Sequence, residues 1–136
     1  MTVLPEWEQG TAGVLCAAGP HPIPVSTAVR ASDDRLLFAL APGRKTLARL
    51  REDSRAAFLL MAEGLAFTAH GTVSILREEM EAGTVALELT VERLQDHLDA
   101  KTELLSPVGW RFRTERADRT DRLVRAELAR LASGLR

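Results

Sequence analysis

Only one cysteine, Cys16, occurs among the 136 residues. No intramolecular disulfide can form, and a reducing cytoplasm is the simplest expected home. No apolar run approaches the roughly 20 residues that a membrane-spanning helix needs. The opening MTVLPEWEQG lacks a basic region followed by a long apolar stretch, so no secretory signal is read there. Bulk charge is also missing: the formal net charge of −1 predicts no general attraction to nucleic acid or acidic membranes. No cysteine or histidine spacing resembles a zinc site, since His21, His70 and His97 stand apart. Nothing places Cys16 or any serine beside a base, so no metal ligand and no catalytic side chain is assigned. These absences leave a soluble intracellular domain as the expectation.

What is present is alternation. In residues 85–92, Val85, Leu87, Leu89 and Val91 alternate with Ala86, Glu88, Thr90 and Glu92, the mark of a half-buried strand. Residues 23–30 and 67–75 show the same period. Residues 36–41 and 56–61 are nearly continuously apolar, and 14–18 make a shorter candidate. Turn residues separate them: Gly19-Pro20-His21-Pro22, Ser32-Asp33-Asp34, Glu63-Gly64 and Glu81-Ala82-Gly83. The expectation is a mainly β, α+β chain with six antiparallel strands in a small barrel.

Two helices interrupt this pattern. The first spans 43–52 with Leu47 and Leu50 facing a core. The second carries a stripe of Val124, Leu128, Leu131 and Leu135, with Thr114, Asp118 and Thr120 as candidate N-caps. Its arginines recur every third residue, which drifts around a helix. Glu115 with Arg119, Asp118 with Arg122, and Asp121 with Arg125 all sit at the favourable i, i+4 offset. Solvated ion pairs therefore outweigh a nucleic-acid face. Residues 95–112 are read as a strand running into a long loop. The organisation is one domain: residues 1–113 form the barrel and its connecting loop, and 114–136 the amphipathic helix.

The segment LFALAPGRKTLARLRED contains a paradox. A strand ends at Ala41-Pro42-Gly43, and two cations, Arg44 and Lys45, open the helix that follows. Cations there oppose the helix dipole, each costing about 0.3–1 kcal/mol. The first-turn N–H groups suit a phosphate, and Arg44, Lys45 and Thr46 would add a fork, a point charge and a hydroxyl. The alternative is a solvated basic pair on the surface.

The order of features resembles the pyridoxamine 5′-phosphate oxidase-like flavin-binding split barrels. It runs strand, Asp-rich turn, strand, Gly-Arg-Lys, short helix, Asp-Ser-Arg, apolar strand, then HGTVSIL. The resemblance covers roughly residues 10–94. It implies a split barrel, a homodimer, and flavin mononucleotide (FMN) held in clefts between the subunits. It puts Arg44 and Lys45 at the flavin phosphate. It puts Val25, Ser26, Thr27 and Ala28 on one strand lining the ring, and Phe38, Ala39, Leu40 and Ala41 on its neighbour. Trp110 either stacks on the flavin or substrate or covers a hydrophobic edge. The family's true oxidases carry Arg and Lys where this chain has Ile23 and Ala28, so oxidation of pyridoxamine phosphate itself is not expected. The implied activity is flavin-dependent hydride or electron transfer to an unidentified small molecule. A deazaflavin-dependent reductase, a non-catalytic flavin-binding or sensory dimer, and a purely structural dimer are the alternatives.

Overall fold

The computed structural model describes residues 2–135. Seven strands and two helices follow in the order β1 (Gly13–Ala17), β2 (His21–Val25), β3 (Val29–Ser32), β4 (Arg35–Leu40), α1 (Lys45–Glu52), β5 (Arg55–Ala62), β6 (Leu65–Arg77), β7 (Val85–Asp96) and α2 (Glu115–Gly134). All paired strands are antiparallel, in one sheet of order β2-β1-β5-β6-β7-β4-β3. The expected six strands become seven because residues 23–30 form two. The break falls at Ser26, Thr27 and Ala28, whose polar groups bond elsewhere. Ser26 Oγ donates to Asp121, Thr27 Oγ1 accepts the Ala39 N–H, and the Ala28 carbonyl accepts the Trp7 indole N–H.

This break shapes the sheet. β2 and β3 are its opposite edges, yet only those three residues join them. A flat sheet of this width would hold its edges about 29 Å apart. The link reaches at most about 14 Å. The sheet must therefore curl until its edges approach, without pairing them into a closed barrel. Pro22 and Pro24 suit this arrangement, because β2 is an edge strand and a proline has no N–H to give to a further neighbour.

Curling creates an inside. Leu15, Phe38, Phe58, Leu60, Phe67, Leu87 and Leu89 are fully buried there, and Trp7 packs against Phe58 and Phe67. α1 adds Leu47 and Leu50 to the same core. A second cluster lies outside the curl, where Val124, Leu128 and Ala132 of α2 cover Val29, Ala31, Leu37 and Ala86. The expected leucine stripe is thus the docking face, with Leu131 and Leu135 at its margin. Asp118–Arg122 forms as expected at i, i+4. Asp121–Arg125 forms too but is largely buried rather than solvated, and Glu115 and Arg119 make no ion pair among the described residues.

β7 runs to Asp96, and an extended connection leads to Thr114, which caps α2 by accepting the Ala117 N–H at 3.1 Å. Removing that acceptor leaves a helix-end donor unpaired. Thr114→Ala is expected to cost about 1 kcal/mol of stability, read as a lowered denaturation midpoint. No helix among the described residues is long and apolar enough to cross a membrane.

Candidate functional site

Two residues, Pro42 and Gly43, turn the chain from the end of β4 into α1, with the Arg44 N–H bonded to the Ala41 carbonyl. Arg44 is the N-cap and offers no side-chain cap; the first turn contains no acidic residue. The helix therefore begins with its free N–H groups and two cations unopposed. Arg44 and Lys45 are exposed, and neither side chain has a hydrogen-bond or ion-pair partner among the described residues.

Further along α1 one cation, Arg51, does have a partner, whereas Arg49 and Glu52 have no ion-pair partner among the described residues. Arg51 forms two hydrogen bonds to Glu78, at 3.1 and 2.8 Å, and they hold the Glu78 carboxyl below its ordinary range. Just beyond the helix, the Arg55 side chain, followed by its backbone N–H, holds the Asp53 carboxyl down to about 2. The corner has no such acid among the described residues.

Thr46 differs from its neighbours. It is 1 % exposed, and its hydroxyl lies 3.1 Å from His21 Nε2. It joins α1 to the first residue of β2, next to the β1–β2 turn. The same turn meets a further cation, since Gly19 approaches the Arg49 guanidinium so closely that a β-carbon there would lie 2.7 Å from it. Arg49 and His21 were not singled out from sequence. The i, i+4 spacing of Lys45 and Arg49 was the available signal for one; nothing local marks the contact of His21 with Thr46.

The strand residues fall into two sets. Val25, Ala28, Phe38 and Leu40 are buried in the barrel core. Ser26, Thr27 and Ala39 lie outside it and come together beneath α2. Ser26 Oγ donates to Asp121 at 2.7 Å, and Thr27 Oγ1 is 3.0 Å from the Ala39 N–H that it accepts. A groove of about 460 Å³ runs between these residues and α2, with Thr27, Ala39, Phe112 and Val124 on its walls. Ala41 is exposed at the corner.

Trp110 sits in a neighbouring cleft of about 510 Å³. Its ring meets Phe112 edge-on at 4.8 Å, and its indole N–H points to the Gly10 carbonyl at 3.4 Å. Both clefts are lined by Phe112, Thr114 and Asp121, so they adjoin. Arg44 and Lys45 line neither. Among the described residues no group of three or more His, Cys, Asp or Glu side chains is placed to hold a metal.

The fold has counterparts among solved structures. A provisionally assigned pyridoxamine 5′-phosphate oxidase of Lactobacillus delbrueckii is 14 % identical with a TM-score of 0.58, over 70 % of this chain and 95 % of that one. HupZ of Group A Streptococcus is 12 % identical with a TM-score of 0.56, over 73 % of this chain and 90 % of its own. A heme binding protein of Mycobacterium smegmatis is 13 % identical with a TM-score of 0.51, over 63 % of this chain and 48 % of its own. At such identities the likeness concerns the fold. No curated protein matches. The sequence profile described as pyridoxamine 5′-phosphate oxidase matches residues 3–130, nearly the whole length. The chain belongs to the pyridoxamine 5′-phosphate oxidase family.

Proposed function

We propose that the protein binds FMN and uses it as an oxidoreductase, with the Arg44–Lys45 corner as the anchor for the phosphate. The observation that carries this reading is the unpartnered cation pair at an uncapped helix N-terminus, beside an arginine that does have its acid. An anion placed there would meet free N–H groups, a forked donor and a point charge together. Bound flavin supplies hydride or electron transfer. The chain's part is to hold the phosphate at Arg44 and Lys45 and to set the ring along the end of β4 at Ala39 to Ala41. A deazaflavin coenzyme would use the same corner through its own phosphate.

The working unit in this reading is a homodimer. Val14, Cys16, Ala57, Leu59 and Met61 belong to β1 and β5 but are absent from both hydrophobic cores, and register places them in rows on the outer face of the sheet. That mostly apolar surface suits a second copy of the chain. Heme is supported less by the side chains. His21 is bonded to Thr46, His97 to Thr68 and, more loosely, His70 to Gln95.

The test is uptake of FMN by the purified protein, followed by the visible spectrum and by quenching of flavin fluorescence. Saturable binding with riboflavin weaker than FMN by about 100-fold is expected, because riboflavin lacks the phosphate that two charged contacts would hold. A protein that takes up neither FMN nor deazaflavin coenzyme is not a flavoprotein, and the reading then fails.

A further inference from the structure

The cleft at Trp110 has a construction that the phosphate corner does not explain. Its aromatic wall is fixed: Trp110 is 45 % exposed, yet its ring is held by Phe112 and by the Gly10 carbonyl. Opposite Gly10 stands Arg125, 17 % exposed. Arg125 Nε donates to Asp121 Oδ2 at 2.8 Å, while Ser26 Oγ donates to Asp121 Oδ1 at 2.7 Å. The carboxylate is thus used on both oxygens and locks the guanidinium in place. The remaining Arg125 N–H groups have no acceptor among the described residues. They lie against Gly10, where a β-carbon would stand 3.3 Å from the guanidinium.

The charges around the cleft can be counted by partner. Asp121 is matched by Arg125, and Asp118 by Arg122 outside the cleft. That leaves Arg111 and Arg113, with no partner among the described residues, against Glu115 alone. The lining itself sums to zero, three arginines against three carboxylates, and a single positive charge is in surplus once Arg122 is counted with its Asp118. Such a balance suits a monoanion and opposes a phosphate dianion. A fixed aromatic wall and a preset guanidinium fork together select a flat ring carrying one carboxylate. The volume, about 510 Å³, is that of an ordinary small-molecule site.

We infer that this cleft binds a planar aromatic carboxylate. The ring lies on Trp110 and Phe112, and the carboxylate meets Arg125 with Arg111 and Arg113 at the rim. Through Phe112 and Asp121 the cleft opens to the groove at Thr27 and Ala39. The ligand is therefore the substrate of the flavin site. That last role rests on the proposed function, whereas the binding does not.

The experiment is titration of the full chain with 2-naphthoate, followed by tryptophan fluorescence and calorimetry, with and without FMN. Saturable binding is expected, about tenfold tighter than that of 2-naphthalenemethanol, which has the ring without the charge. Arg111→Ala with Arg113→Ala, both at exposed positions that leave folding intact, should weaken naphthoate by several-fold and leave the alcohol unchanged. Trp110→Ala should weaken both. No saturation at millimolar naphthoate, equal affinity for acid and alcohol, or indifference to the arginine pair would each overturn the site. FMN displacing naphthoate competitively would overturn the substrate role, because the cleft would then hold the cofactor's own ring. Naphthoate binding to a protein that refuses both FMN and the deazaflavin coenzyme would leave this site standing and remove the flavin reading. FMN binding without naphthoate binding would do the reverse.

Discussion

Replacing Gly71 by alanine is expected to destabilise the protein by about 3 kcal/mol or more, with a fall in melting temperature of about 10 °C or more. Gly71 lies in the interior of β6, paired with Ala56 on one side and Val91 on the other. A β-carbon at this position would stand 1.9 Å from the Thr90 carbonyl oxygen and 2.9 Å from its carbon. Those are backbone atoms of β7, not the end of a side chain that could swing away. The register between β6 and β7 shifts here: His70 faces Arg93 while Gly71 faces Val91, so Glu92 is left unopposed. The bulge brings the two backbones together at the one residue without a side chain. Alanine must therefore push β7 outward, and β7 is the strand that also pairs with β4. Gly109→Ala is the control, because no atom lies within 4 Å of its added carbon. Chemical denaturation of both variants reads the difference. A Gly71→Ala protein within about 1 kcal/mol of the parent would mean that the bulge relaxes freely, and that the glycine is not there for the close approach.

That glycine also shows how much the sequence carries. HGTVSIL resembles the family passage in which a glycine precedes a small residue, yet period-two alternation alone gives Gly71 no special place. Its cause is a bulge, which depends on what the opposite strand does. The same reason explains why one run of alternation, residues 23–30, yields two strands. The alternation of residues 23–30 continues through Ser26, Thr27 and Ala28, and the polar partners that interrupt it are Asp121, Ala39 and Trp7, far away in sequence. Elements defined by local pattern were legible: the Leu47–Leu50 face of α1, the stripe of α2, and the alternation of β7. The proposed phosphate corner is a local feature, since Arg44 and Lys45 adjoin in the chain. Contacts that the fold assembles were not legible. Nothing in the spacing joins His21 to Thr46, or Gly10 to Trp110 and Arg125.

Arg44→Ala combined with Lys45→Ala should lower FMN affinity on the order of 100-fold, since two charge-assisted contacts at the low end of about 1.5–3 kcal/mol each are lost together. The low end applies because both side chains are exposed and water competes for them. The same substitutions should act in the opposite sense on the empty protein. With no ligand, each cation stands at the positive end of the α1 dipole with no acid in the first turn, an arrangement unfavourable by about 0.3–1 kcal/mol. Removing both relieves that repulsion, so the flavin-free variant should melt at the same temperature as the parent or slightly higher. Riboflavin supplies a third reading: lacking the phosphate, it should bind both proteins alike. Equilibrium flavin titrations and flavin-free thermal melts therefore give three signs to check. A general loss of structure would lower all of them. Cations that contact the ring would weaken riboflavin as much as FMN. A corner that is only surface would leave FMN affinity untouched. Weaker FMN, unchanged riboflavin and an undiminished melting point occur together only where Arg44 and Lys45 keep their unpaired charges for a phosphate.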